Sequence, residues 1–168
     1  MALDSASKTG IALGRPGDAP TLRTISFRDP DDSIEYTWGR VTKWAAREFK
    51  DNRPECIYFE SHPPIIKSYS ANLIQIGIWS IIAGMAEARG IECHRACVND
   101  IRAHFIGSRK YKSAVAKRRT MDICLQLGWR PANYDESDAA AAWHYACFKM
   151  APGKMLGHRT EPLFLRVR

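Results

Sequence analysis

Short apolar runs separated by turn residues mark the beginning of the chain. Residues 1–3 and 11–13 are apolar, residues 22–27 alternate apolar and polar side chains, and residues 15–18 read Arg-Pro-Gly-Asp, the composition of a turn. Alternation with a period of two residues is typical of a half-buried strand. The pattern therefore predicts a strand-rich start over residues 1–28.

A first helix is predicted to follow these strands. Asp32 and Glu35 are three residues apart, as in a capping box, and they open a segment with apolar residues at helical spacing. Those apolar residues are Val41, Trp44, Ala45 and Phe49. The sequence Asn-Arg-Pro at residues 52–54 ends the helix, because proline cannot continue it.

The middle of the chain predicts two strands around a long apolar helix. Residues 56–59 are a nearly continuous apolar run, typical of a strand buried in a parallel sheet, and the run ends on Glu60. Residues 61–71, with two consecutive prolines, are predicted as a loop, residues 72–89 as a helix and residues 91–95 as a strand. The helix is apolar around most of its circumference, which predicts that it lies in the core or against a second subunit.

Two further helices complete the pattern, at residues 112–127 and 135–150. Gly128 follows the first of them, where a glycine commonly ends a helix. Strands that alternate with helices after a meander of strands predict a mixed α/β sheet. The length of 168 residues fits one domain, which we place at residues 1–152, followed by a basic tail at residues 153–168.

Composition narrows the class of protein. Apolar residues make up 45% of the chain and charged residues 26%, which excludes a disordered protein. The longest apolar stretch, residues 73–86, is shorter than the roughly 18 residues that suggest a membrane span, so we expect no such span. The first residues, MALDSASKTG, lack the pattern of a secretory signal, and five cysteines are an odd number for a disulfide framework. We therefore expect a cytoplasmic protein with reduced thiols.

The net charge of +7 is concentrated in one segment. Residues 101–121 contain seven basic residues and no acid: Arg102, Arg109, Lys110, Lys112, Lys117, Arg118 and Arg119. A solvated helix face normally interleaves acids with bases to form ion pairs, and this segment does not. A segment with basic residues and no acids is complementary to the negatively charged phosphate backbone of a nucleic acid. We therefore predict that these residues bind DNA or RNA.

Four carboxylates stand at positions where chemistry is common. Asp4 lies in or just after the first strand, Glu60 ends the buried strand, and Asp135 and Asp138 share one face of the last helix. Oxygen ligands without histidine or thiol favour Mg²⁺ or Mn²⁺, and two such ions activate a water and stabilise the leaving oxygen in phosphodiester hydrolysis. Each acid alone has an ordinary explanation, as a helix cap, a turn former or a surface residue. Together with the basic segment they predict a nuclease site.

Four segments resemble the RuvC-type Holliday junction resolvases, in particular their small phage-like versions. They are ALDSASKTGIAL with Asp4 and Gly10, IYFES with Glu60, NDIRAHFIGSRKYKSAVAKR with its basic residues, and YDESDAAAAW with Asp135 and Asp138. The order and spacing of these segments cover most of the chain.

The resemblance implies an RNase H-like fold, with a mixed five-stranded sheet flanked by helices. It implies that Asp4, Glu60, Asp135 and Asp138 are catalytic acids that bind two Mg²⁺ ions, for which Mn²⁺ substitutes, with no small-molecule cofactor. It also implies that Arg102 and Lys112 contact DNA near the scissile phosphate, and that a homodimer introduces paired nicks into branched DNA.

The sequence departs from the family pattern at two places, and one ligand assignment stays open. Residues 4–6 read Asp-Ser-Ala where the family has Asp-Pro-Gly, and residues 62–64 read His-Pro-Pro where the family often offers an apolar or aromatic residue to the junction. Glu136 is also close enough to replace Asp135 as a ligand. Two alternatives therefore stay open: another RNase H-like nuclease, acting on an RNA–DNA hybrid or ribosomal RNA, and a protein that binds branched DNA without cutting it.

Overall fold

The computed structural model describes residues 1–61 and 69–154, in which five strands and five helices alternate after an initial meander. The strands are β1 (Ala2–Asp4), β2 (Lys8–Leu13), β3 (Thr21–Ser26), β4 (Cys56–Ser61) and β5 (Glu92–Cys97). The helices are α1 (Ile34–Asp51), α2 (Tyr69–Glu87), α3 (Val98–Phe105), α4 (Ser113–Gln126) and α5 (Tyr134–Met150), and a short 3-10 turn, Pro152–Lys154, follows. The predicted loop at residues 61–71 and the basic tail fall largely outside the described residues.

The strands form one mixed sheet in the order β3-β2-β1-β4-β5. β1 runs antiparallel to β2 and parallel to β4, because a hairpin joins β1 to β2 whereas α1 lies between β3 and β4 in the chain. The predicted five-stranded α/β fold is confirmed. In the parallel pair, Leu3 stands opposite Phe59, so the residues that follow them, Asp4 and Glu60, leave the sheet at the same edge.

Two hydrophobic layers cover the two faces of the sheet. One face packs on α1 and α2 through a cluster that includes Leu3, Ile57 and Phe59. The opposite face packs on α5, whose run of four buried alanines at residues 139–142 lets the helix axis lie close to the strands. The last helix therefore lies against the centre of the sheet, with α3 and α4 beside it.

The start of α1 differs from the predicted capping box. Ser33, not Asp32, is the N-cap, and its hydroxyl accepts a hydrogen bond from the Tyr36 N–H at 3.1 Å. The Asp32 carboxylate accepts instead from the Asp29 N–H and forms an ion pair with Arg40 at 3.2 Å. Aspartate and serine are both common N-cap residues. Here Asp32 stabilises the turn before the helix, whereas Ser33 caps the helix.

Other element boundaries differ by a few residues, and one helix was not predicted. α2 begins at Tyr69 rather than residue 72, and β5 continues to Cys97 rather than stopping at residue 95. α3 follows β5 without an intervening turn, and its N-cap, Cys97, makes no side-chain capping hydrogen bond. A helix of eight residues with no capping signal gives little pattern for sequence reasoning to detect.

Helix α2 has the length and hydropathy of a membrane span, with a mean hydropathy of 1.2 over its most apolar window. It is the one such helix in the ranges described above. Its buried residues, Ile74, Ile78, Ile82 and Ala86, follow one stripe and belong to the hydrophobic cluster against the sheet and α1. A core helix of a globular domain has these same properties.

Candidate active site

Two of the predicted acids come from neighbouring parallel strands. Asp4 ends β1, and Glu60 lies one residue before the end of β4, one position beyond the Leu3–Phe59 pair. Burial raises the pKa of Glu60 well above its ordinary value, and the negative charges of Asp4 and Asp138 raise it further. The sheet register thus brings Asp4 and Glu60 within electrostatic reach of each other.

The other two acids come from the first two turns of α5, which a glycine allows to approach the sheet. A Cβ atom on Gly10 would lie 1.9 Å from the backbone carbonyl oxygen of Asp135, so a larger residue in β2 would displace the helix. Asp4 pairs with Gly10 in the antiparallel ladder of β1 and β2. Gly10 therefore brings the start of α5 onto the strand that carries Asp4.

The N-cap of α5 is Asn133. Asp135, whose sequence position also suggested a helix cap, does not cap the helix. The Asn133 side-chain oxygen accepts a hydrogen bond from the Glu136 N–H at 3.0 Å. The Asp135 carboxylate instead lies 3.7 Å from the Lys8 ammonium.

Glu136, the alternative ligand, is used to hold the start of α5. Its buried carboxylate accepts hydrogen bonds from the Ala132 N–H at 2.7 Å and from the Thr24 hydroxyl at 3.0 Å. The Asn133 amide donates to the same hydroxyl at 2.8 Å. Both carboxylate oxygens of Glu136 thus bind groups of the polypeptide, which favours Asp135 over Glu136 as the acid available to a metal.

The acids of the site are half-buried and repel one another. Burial, together with the charge of Asp135, raises the pKa of Asp4 to about 6 against the attraction of Lys117. Burial and the charge of Asp4 raise the pKa of Asp138 to about 6, while Lys117 and Arg102 act in the opposite direction. Such a cluster is stabilised by positive charge, whether protons, basic side chains or metal ions.

Two basic side chains of the predicted DNA-binding segment lie in the site. The Lys117 ammonium is 3.6 Å from the Asp138 carboxylate, and Arg102 on α3 lowers the pKa values of Glu60 and Asp138 by its charge. Sequence analysis predicted DNA binding for Lys117 but no position near the acids. Its position relative to the buried residues Thr120 and Cys124, three and seven positions later, indicates that it lies on the side of α4 that faces α5.

The remaining basic residues lie further from the acids. Lys112 is exposed at the N-cap of α4, and none of the ion pairs found in the described chain joins it to an acid of the site. Arg109 is paired with Asp100 at 2.7 Å. Lys110, Arg118 and Arg119 are exposed. Their roles in DNA binding stay predictions, as do the roles of the four acids.

The donor set fits a hard divalent cation. Asp4, Glu60, Asp135 and Asp138 offer only carboxylate oxygens, and their mutual repulsion makes bound positive charge favourable. As the side chains of residues 1–61 and 69–154 are arranged, no three acids, histidines or cysteines stand close enough together to hold an ion. Metal binding therefore stays a prediction, which requires these carboxylates to close around the ion.

Comparison with known proteins places this geometry in context. No protein-family model matches the chain, and no curated protein matches it. Among solved structures, Thermus thermophilus RuvC in complex with a Holliday junction substrate is similar with a TM-score of 0.68 and 14% identity over 92% of this chain and 93% of that one. A second structure of Thermus thermophilus RuvC has a TM-score of 0.63 and 15% identity, over 88% of this chain and 92% of that one.

A eukaryotic structure is similar as well. The yeast mitochondrial Holliday junction resolvase Ydc2 has a TM-score of 0.56 and 10% identity, over 94% of this chain and 81% of that one. At these identities the likeness concerns the course of the backbone, and it extends over nearly the whole chain in all three cases. The chain therefore has the RNase H-like fold of the RuvC Holliday junction resolvases.

Proposed function

We propose that this protein is a metal-dependent endonuclease that resolves four-way or other branched DNA junctions by paired nicks. The observation that carries the proposal is the electrostatic interaction of Asp4, Glu60 and Asp138, which come from three separate elements to one half-buried edge of the sheet, with the charges of Arg102 and Lys117 acting on them. The likeness to a resolvase bound to a Holliday junction supports the choice of substrate.

The four carboxylates, Asp4, Glu60, Asp135 and Asp138, are the residues that would hold Mg²⁺ or Mn²⁺, with two ions per site. When bound, the ions supply Lewis acidity, which activates a water and stabilises the leaving oxygen of the phosphodiester. Arg102 and Lys117, whose charges act on Asp138, would bind the non-bridging oxygens of a phosphate near the acids. Because the acids are half-buried, solvent screens their charges only partly, which strengthens their interaction with a cation.

The exposed basic residues of α4 and the loop before it extend the site along a DNA strand. Four exposed basic residues lie along the chain on both sides of Lys117, which contacts Asp138. They are Lys110, Lys112, Arg118 and Arg119. Each phosphate contact releases counterions, so this part of the affinity should fall with rising salt concentration.

Paired nicking requires two sites, and we propose a homodimer that uses the outer face of α2. Ile76 is 60% exposed, whereas Ile74, Ile78 and Ile82 on the same helix are buried in the core. An exposed isoleucine on a predominantly apolar helix is suited to an isologous contact, and a two-fold axis would present two active sites to a symmetric junction.

Several finer assignments belong to the same proposal. The basic tail at residues 153–168 adds positive charge to a nuclease domain at residues 1–152. The five cysteines are free in the structure, which fits action in the reducing cytoplasm of a bacterial or phage-infected cell. The assignment to the small phage-like versions rests on the four sequence segments alone.

Cleavage of defined substrates tests the proposal. The purified protein should be incubated with Mg²⁺ and matched four-way, flap, linear duplex and RNA–DNA hybrid substrates, with Asp4→Asn as the inactive control. We expect symmetric nicks in the four-way junction that depend on Mg²⁺. Preferred cutting of the hybrid would identify another RNase H-like nuclease, and tight junction binding without cutting would identify a binding protein.

A further inference from the structure

A shallow hollow lies beside the acids, between α4 and the beginning of α5. Its volume is about 510 Å³, within the usual range for a small ligand. It is lined by Ala114, Val115, Arg118, Arg119, Asp122 and Tyr134. Because Tyr134 immediately precedes Asp135 on the chain, the hollow adjoins the candidate active site.

An exposed aromatic ring forms one side of the hollow. Tyr134 is 47% exposed, and Val115 on α4, which lines the same hollow, is 45% exposed. The backbone at Tyr134 is fixed, because Asn133, Glu136 and Thr24 are joined by hydrogen bonds at the start of α5. The ring is thus presented on a rigid element instead of being buried, which suits it to stack on a flat ligand.

Charged groups at the hollow match a nucleotide. Arg118 and Arg119 offer guanidinium groups that bind phosphate, and Arg119 is held against the Tyr111 ring at 4.4 Å. Asp122 offers an acceptor-only carboxylate, which can receive a hydrogen bond from the amino group of a base. Aliphatic, aromatic, cationic and acceptor groups in one hollow favour a nucleobase over a simple anion.

The hollow and the candidate active site are formed by the same two helices, α4 and α5. On α5, Tyr134 is four residues before Asp138 and shares its face, and on α4 Ala114 is three residues before Lys117, so this edge of the hollow adjoins the Lys117–Asp138 pair. Arg118, Asp122 and Val115 are about 100°, 140° and 160° around α4 from Lys117 and form the side of the hollow away from that pair. A DNA strand held near Lys117 would therefore pass the hollow within one or two nucleotides.

We infer that the hollow holds an unpaired nucleobase carrying an amino group, one or two nucleotides from the phosphate at the acids. The base stacks on Tyr134 and donates its amino hydrogens to Asp122, which favours cytosine, adenine or guanine over thymine. Only an unpaired base exposes both its face and its pairing edge in this way. This inference rests on the proposed function, since it assigns the hollow to the same DNA strand.

Metal-free binding measurements test the inference independently of cleavage. Fluorescence anisotropy would compare a fully paired duplex with the same duplex carrying a bulge of unpaired cytosines or of unpaired thymines, at one salt concentration. We expect Tyr134→Ala to weaken binding to the cytosine bulge about tenfold, the usual effect of losing one stacked base, and to leave duplex binding within about twofold. Tyr134→Phe keeps the ring and should restore the parental affinity.

Two further variants sharpen the result. Tyr36 is likewise an exposed tyrosine, on α1 in the other layer of the fold, so Tyr36→Ala should leave both affinities unchanged. Asp122→Asn should reduce the preference for the cytosine bulge over the thymine bulge. The inference is wrong if Tyr134→Ala weakens binding to the bulge and to the duplex equally. It is also wrong if Tyr134→Ala weakens neither. Failure of the wild-type protein to cut any junction would overturn the proposed function without affecting this comparison.

Discussion

The Lys117 ammonium lies 3.6 Å from the Asp138 carboxylate, so α4 contributes a cation directly to the cluster of acids. The family resemblance gave the corresponding role to Lys112, five residues earlier, which is exposed at the start of the same helix. Under the proposed function, the ion pair with Asp138 favours Lys117 over Lys112 as the residue that contacts the phosphate to be cleaved.

Replacement of Lys117 should therefore affect the rate of cleavage, not only the affinity for DNA. We expect Lys117→Ala to lower the cleavage rate at saturating junction about tenfold or more, because a charge-stabilising contact at the phosphate is lost. Arg118→Ala, its neighbour on the exposed face, should weaken binding and leave the saturated rate unchanged. Single-turnover cleavage measures both. A loss of saturated rate in Lys112→Ala, with none in Lys117→Ala, would restore the sequence-based assignment.

Gly10 should be required for the position of α5. Gly10→Ala places a Cβ against the Asp135 carbonyl, and we expect a loss of about 1–3 kcal/mol in the free energy of unfolding, with cleavage reduced about a hundredfold. Gly39→Ala is the matched control, because nothing lies within 4 Å of its Cβ on α1, and alanine should slightly stabilise that helix. Thermal unfolding and junction cleavage measure the two effects. Wild-type activity in Gly10→Ala would show that the helix tolerates displacement.

Asp4→Asn should abolish cleavage while stabilising the metal-free protein at neutral pH. The pKa of Asp4 is raised to about 6 in the folded state from 3.8, so the folded state binds the proton more tightly than the unfolded state does. This contribution to stability is complete below the unfolded pKa and is lost as the pH rises through 6. Asparagine, which is always neutral, retains it.

The difference in stability between Asp4→Asn and the parent should therefore depend on pH. We expect it to be small at pH 4, to grow between pH 4 and 6, and to reach a plateau of at most about 3 kcal/mol above that. Denaturant unfolding in chelator at a series of pH values measures it. A difference that does not change with pH would mean that folding does not raise the pKa of Asp4.

Binding of Mg²⁺ should compete with protons at the same acids. We expect Mg²⁺ to raise the melting temperature more at pH 7.5 than at pH 5, because Asp4, Glu60 and Asp138 must be ionised to bind it. Asp138→Asn should remove most of the increase. Differential scanning calorimetry with Mg²⁺ or chelator measures it, and an equal increase in wild type and Asp138→Asn would place the bound ion elsewhere.

Two isoleucines of α2 should separate assembly from folding. Ile76→Glu changes an exposed position and should convert a dimer to a folded monomer, with paired nicking lost. Ile78→Glu buries a charge in the core and should prevent folding instead. Light scattering gives the mass, and circular dichroism reports the fold. A wild-type protein that is monomeric at micromolar concentration would contradict the dimer.

Sequence patterns predicted the fold well where periodicity and turn residues agree. The meander, the buried strand before Glu60 and the helices after it are present, with ends that differ by a few residues. Helix α3 escaped prediction because it is short, uncapped by a side chain and continuous with β5. The capping box at Asp32 was wrong because two adjacent residues compete for one cap, and only the three-dimensional turn decides between them.

The site was less accessible to sequence reasoning than the fold. The four acids were predicted from their positions, and their roles stay a prediction. The ion pairs of Lys8 and Lys117 depend on how α4 and α5 pack, which local patterns do not specify. Thr24, more than a hundred residues away in sequence, binds the Glu136 carboxylate and so leaves Asp135 as the acid available to a metal. Tertiary contacts of this kind have no local signature.

Because α5 supplies Asp135 and Asp138 to a candidate site that also contains Asp4, the site joins the first strand to the last of the five α-helices described. A ribosome adds about 5–20 residues per second, so Asp4 leaves the exit tunnel many seconds before the last helix does. The central part of the sheet is uncovered on its α5 face during that interval, and the set of acids is incomplete. If the proposed nuclease function is correct, cleavage therefore becomes possible only when this helix has docked on the sheet.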